Sequence, residues 1–118
     1  MKANELMIAN WVIDNGKYAQ ITGITCDGNI ETTVNEKSNI ELISPIPLTP
    51  EILEKNGFEE WDGWFIYAPE SAGIEIAWLG TILKIGGECG NLELPTIEYV
   101  HQLQNVFMLC GISKEIVL

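Results

Sequence analysis

Arginine is absent from this chain and lysine is scarce: six lysines stand against seventeen acids, for a formal net charge of −11. Neutralising nucleic-acid phosphates takes Lys and Arg, and planar bidentate readout takes Arg, so direct nucleic-acid binding is not expected. Cysteine is sparse as well. Cys26, Cys89 and Cys110 are odd in number and match no zinc or disulfide spacing, which points to reduced, mostly buried thiols. No apolar run approaches the roughly 20 residues that cross a bilayer, and the opening MKANELMIAN has no signal-peptide-like run. A soluble cytoplasmic protein without a membrane partner is the expectation. H-E-x-x-H, Cys-x-x-Cys, P-loop and G-x-S-x-G patterns are all missing, so the motifs imply no catalytic, metal-ligating or cofactor-binding residue. The glycine-rich GGECG lacks the basic residue of a phosphate loop, and its Glu88 would repel an anion.

What is present is a globular composition, 47% apolar over 118 residues, which fits one domain with a core of its own. The pattern predicts an α+β fold in two parts, residues 1–45 and 46–118. In NWVIDNGKYAQITGITCDGNIETTV, Asn15-Gly16 and Asp27-Gly28 are flanked by strand formers and suit type I′ hairpin turns. Strands are therefore predicted at 11–14, 17–25 and 29–34, then a polar loop NEKSN and a fourth strand IELIS from Ile40. An SH3-like antiparallel meander is the natural closure. After Pro45 and Pro47, Thr49 can cap a helix with Pro50 at its first position and Gly57 at its stop, giving a short helix over 50–56. A second antiparallel sheet follows in GFEEW, WFIYA, IEIAWLG and TILKI, with a short strand possible in LEL. In GIEIAW, Ile74, Ile76 and Trp78 share one face by period two.

The segment TIEYVHQLQNVFMLCG reads as a covering helix from about Thr96 to Cys110. At about 100° per residue, Tyr99, Val100, Leu103, Val106, Phe107 and Cys110 fall in one arc. His101 falls on the opposite, polar side with Glu98, Gln104 and Asn105, so it cannot pair with Cys110 as a nucleophile and base. Gly111 stops the helix, Ile112 makes the contact usual after such a stop, and ISKEIVL is expected as a closing edge strand. Met108 and Leu109 lie near the polar side, where an apolar surface suits a partner or a second copy in a homodimer.

One local constellation points to binding. FEEWDGW places Glu59, Glu60 and Asp62 beside Trp61 and Trp64, where a cationic side chain could be received by ion pairing and by ring faces. The competing reading is a hairpin with tryptophans against the sheet and acids in water. Glu59 and Glu60 are adjacent in a strand and face opposite sides, which argues against a two-carboxylate glycosidase. Charge is concentrated here too: residues 46–94 hold two lysines and nine acids, net −7, against −3 before them and −1 after. Such a field steers cationic partners.

With ELMIANWV near the start, the segments LTPEILEKNGF and YVHQLQN make the chain resemble a group of short uncharacterised proteins of gut Bacteroidetes, often encoded in prophage or other mobile-element contexts. The resemblance covers nearly the whole length in layout. It implies a phage-related accessory protein acting through contacts, and supplies no catalytic residue.

The expected function is accordingly a non-catalytic module that binds a protein partner, with Glu59, Glu60, Trp61, Asp62, Trp64 and His101 as the candidate partner-binding residues. Two other readings stand beside it. One is an acidic nucleic-acid mimic presenting Glu51, Glu54, Glu59, Glu60 and Asp62 to a basic DNA- or RNA-binding protein. The other is a small enzyme using His101 with a cysteine or a carboxylate.

Overall fold

A computed structural model of the chain describes residues 6–25, 29–34, 38–39, 43–69, 73–87 and 90–118. The expected Asp27-Gly28 turn, Cys26, Glu88, Cys89 and residues 40–42 of the expected fourth strand lie outside them. The arrangement is α+β, with two antiparallel sheets and two helices. Two compact units divide the chain: Met1–Pro47 with Tyr99–Val106, and Leu48–Glu98 with Phe107–Leu118.

The first unit carries β1 (Trp11–Asp14), β2 (Lys17–Ile24), β3 (Asn29–Thr32), β4 (Ser38–Asn39) and β5 (Ile43–Ser44), in the order β4-β3-β2-β1-β5. A meander whose last strand returns antiparallel to its first is the SH3-like order the sequence suggests. Asn15 and Gly16 take φ of 52° and 79°, the type I′ turn that joins β1 to β2. The eight-residue β2 serves both ends of the sheet. Its first half pairs with β1 and its second with β3, across a register shift between Ile21 and Gly23. A bulge at that point bends the strand and tightens its twist, which curls the sheet. Val12, Ile21, Ile30 and Ile43 then meet Leu6 in one apolar cluster. Beside it the buried Thr32 hydroxyl donates to the buried Asp14 carboxylate at 2.7 Å, as a carboxylate taken out of water requires.

One element of this unit differs from expectation. Ser38 and Asn39, read as polar loop, form an edge strand against Ile30 and Asn29. An edge takes its hydrogen bonds from a neighbour's backbone and tolerates polar residues, so hydropathy gives no warning of it.

The second unit opens on α1 (Pro50–Lys55). Thr49 Oγ1 accepts from the Ile52 N–H at 3.2 Å, Pro50 needs no partner for its nitrogen, and Gly57 leaves the helix at φ 91°. The sheet is a plain meander, β10-β9-β8-β7-β6, built of β6 (Glu59–Trp61), β7 (Trp64–Tyr67), β8 (Ile74–Leu79), β9 (Ile82–Gly87) and β10 (Gly90–Leu94). Asp62 and Gly63, at φ 50° and 84°, make a second type I′ turn. Period two holds along the strands: Phe65, Ile76, Trp78 and Leu83 are buried, while Glu75, Leu79 and Lys84 are exposed. Phe58, Tyr67 and Phe107 stack at centroid distances of 5.2, 5.6 and 6.2 Å, and this aromatic cluster is the packing centre.

Helix α2 (Val100–Leu109) supplies residues to both units. It starts four residues later than its pattern suggests. Thr96 sits at φ 67°, the Ile97 N–H donates to Thr81 O at 2.7 Å, and Glu98 O accepts from Leu48 N–H at 2.8 Å, so residues 96–98 are non-helical and anchored. Gln102, three positions into the helix, accepts from the Tyr99 N–H at 3.1 Å, the return half of a capping box. At the other end Ile112 N–H donates to Phe107 O and Gly111 N–H to Met108 O, with Gly111 at φ 72°. This is the Schellman stop that Gly111 predicts.

The expected closing strand is not formed. Residues 112–118 carry no strand; instead Asn56 clamps Val117, accepting from its N–H at 2.7 Å and donating to its carbonyl at 2.8 Å. A buried side-chain amide thus replaces a sheet ladder for this tail.

Candidate functional site

The β6–β7 hairpin projects the candidate acidic and aromatic residues. Two-residue turns fix its register: Glu59 lies opposite Ile66, Glu60 opposite Phe65, and Trp61 opposite Trp64. Trp61 and Trp64 therefore share the outer face of the sheet with Glu59, and Glu60 points to the other side. Glu59, Glu60 and Asp62 are all exposed. Trp61 is 70% exposed, so this hairpin does not tuck that ring against the sheet. Trp64 is half-buried, and the Lys84 ammonium stands 5.0 Å from its ring centroid, within the range of a cation–π contact. Glu51 and Glu54 of α1 are exposed too, so all five carboxylates of the proposed acidic set face water.

Sequence reasoning missed a second feature of the same sheet. A cleft of about 930 Å3 lies over the Gly73–Gly87 end of β8 and β9, walled on one side by Ala68 and Pro69. Ala77 and Gly86 contribute small residues to it; a Cβ added at Gly86 would stand 3.1 Å from Asn91 Oδ1. Glu75, Lys84, Asn91 and Glu93 supply its polar groups. Glu93 lies directly across from Lys84 in register, yet the lysine leans to Trp64, and neither Glu75 nor Glu93 is ion-paired among the described residues. The signal was available in part. Period two in TILKIGG sets Lys84 and Gly86 on one face, and only the cross-strand register brings Glu75, Asn91 and Glu93 around them.

His101 does not join either feature. It belongs to the first unit, is 2% exposed, and stacks on Tyr99 at 6.0 Å with the rings 8° from parallel. The polar side of the helix, where the sequence places it, is not a solvent face. Gln104 Oε1 accepts from Trp11 N–H at 2.7 Å, Gln104 Nε2 donates to Ala9 O at 3.1 Å, and Asn105 Oδ1 accepts from Asn10 Nδ2 at 2.9 Å. These amides dock the helix on residues 9–11. The His101 side chain is buried, where a helical wheel sets it toward solvent. Cys110 is a half-buried free thiol, while Met108 and Leu109 are exposed, Leu109 at 86%. Among the described residues no three His, Cys, Asp or Glu side chains gather as metal ligands would.

Comparison with protein-family models, with curated proteins and with solved structures finds no match.

Proposed function

We propose that this chain is a non-catalytic interaction module, an accessory protein that binds a protein partner through its acidic β6–β7 hairpin. The observation that carries the reading is the exposure of Trp61 at 70% among three exposed carboxylates. A tryptophan left in water at a rigid turn offers a large apolar area with little rotamer freedom to lose, the property that makes this residue an anchor in interfaces. The surrounding acids select for a basic partner and speed its approach. The mobile-element company implied by the resemblance suits such a role. An enzyme built on His101 is disfavoured by its burial, since a general base must reach the proton it takes.

The exposed set Glu51, Glu54, Glu59, Glu60 and Asp62 also supports a narrower reading, in which the partner is a nucleic-acid-binding protein whose phosphate site the carboxylates occupy. Affinity capture on immobilised wild-type protein and on a Trp61→Ala variant tests both readings. A partner retained by the wild type and lost by the variant is the expected result. Release of that partner at high salt favours the phosphate mimic, because exposed charge pairs are screened. Identical retention by both proteins overturns the hairpin as the site.

A further inference from the structure

We propose that the cleft over β8, β9 and β10, together with the open edge of β10, takes an extended lysine-bearing segment of the partner protein. The inference rests on the interaction-module reading and gives the partner its chemistry. Three observations converge on it. First, β10 is the outermost strand and among the described residues pairs only with β9, which leaves its outward backbone groups open to another strand. Gly90, Asn91, Leu92 and Glu93 are all exposed, and no lysine or proline within the strand discourages pairing there. Second, an added strand would set every other side chain on the outer face, where the cleft begins beside Asn91 and Glu93. The small side of Ala77 keeps the cleft floor low for a long aliphatic stem, and the Asn91 amide, whose Oδ1 covers the Gly86 position, offers polar groups beside it. Third, the charge fits a cation. Among the described residues Glu75 and Glu93 are the carboxylates of the cleft, and its one cation, Lys84, has its ammonium drawn over Trp64. A lysine entering the cleft meets two acids without an established counter-ion. Because the edge offers main-chain hydrogen bonds, the occupant is a peptide and not a free polyamine, which has no amide groups to pair.

The test uses a blocked, dye-labelled hexapeptide of alternating valine and lysine, read by fluorescence anisotropy at low ionic strength against the full chain. The Lys peptide is expected to bind, and its counterpart with Glu in place of Lys is not. The double variant Glu75→Gln/Glu93→Gln should weaken binding by about tenfold, the size of two exposed charge pairs, with an unchanged unfolding midpoint. Backbone N-methylation of the peptide should weaken it by a similar factor, and this arm leaves the protein unaltered. Equal binding to wild type and double variant overturns the proposal. So does full binding of the N-methylated peptide, or displacement by spermine at equal concentration. Binding lost in Trp61→Ala but kept in the double variant leaves the hairpin reading standing and removes the cleft. Binding lost in the double variant but kept in Trp61→Ala is the expected result and seats the peptide in the cleft, while the hairpin is judged separately by partner capture.

Discussion

The two units differ in the polar groups they bury. In the first, Asn10, Asp14, Thr32 and His101 are buried, and each has a structural setting: a hydroxyl on a carboxylate, amide on amide, imidazole on phenol ring. In the second, Asn56 is the buried polar residue among those described, and the core is aromatic. Both units leave large apolar side chains in water, Met7, Ile8, Tyr18, Ile24 and Val34 in the first and Trp61, Leu79, Leu92, Met108, Leu109 and Val117 in the second. Trp61 is the most exposed aromatic ring among them and stands in sequence with the exposed Glu59, Glu60 and Asp62. A buried polar group is explained once its partners are found. An exposed tryptophan among carboxylates is not explained by folding, which is why function is sought in the second unit.

The largest effect that sharpens this contrast belongs to Phe107. Its ring is 1% exposed and stacks on both Phe58 and Tyr67, so Phe107→Ala removes the centre of the aromatic cluster. A loss of about 3–5 kcal/mol is expected, measured by denaturant unfolding. A loss below about 1 kcal/mol would mean that the aromatic cluster is not what holds the second unit. In the first unit the corresponding probe is Thr32→Val, which keeps the shape and deletes the hydroxyl that donates to Asp14 at 2.7 Å. A buried hydrogen bond to a carboxylate is worth about 1–3 kcal/mol, and that loss should appear in the same assay. If the variant is as stable as the wild type, the polar core of the first unit is dispensable and the contrast fails on that side.

Much of this was legible because local chemistry and global fold agree. Asn15-Gly16 and Asp62-Gly63 name their turns, Thr49-Pro50 and Gly57 bracket α1, and Gly111 ends α2, because each position demands a backbone conformation that few residues accept. What failed depended on partners far away in sequence. His101 looks solvent-facing on a helical wheel, but it is buried, and the same polar side sends Gln104 and Asn105 to residues 9–11, more than ninety positions earlier. The tail ISKEIVL has strand composition, yet a side-chain clamp from Asn56, sixty-one positions away, holds it without a ladder. Thr96 is a β-branched residue in the left-handed region, where propensity would not place it, and it delays α2. The cleft was hidden for the same reason. Glu75, Lys84 and Glu93 are scattered along the chain and become neighbours only through the pairing register of three strands.

The smallest expected effect on stability is the most telling for the comparison. Trp61→Ala removes a large side chain, and in the core such a change costs several kcal/mol. Here the ring is 70% exposed and its strand partner Trp64 keeps its own contact with Lys84, so the folded state loses little. Unfolding free energy should change by no more than about 0.5 kcal/mol. A tryptophan retained for packing would show a loss of about 2 kcal/mol or more, as buried aromatics do, and would return the hairpin to an ordinary structural role. Stability that stays flat while partner capture is lost would separate the two units by purpose as well as by packing: one buries its polar groups to hold its shape, the other holds its aromatic ring out for something else to bury.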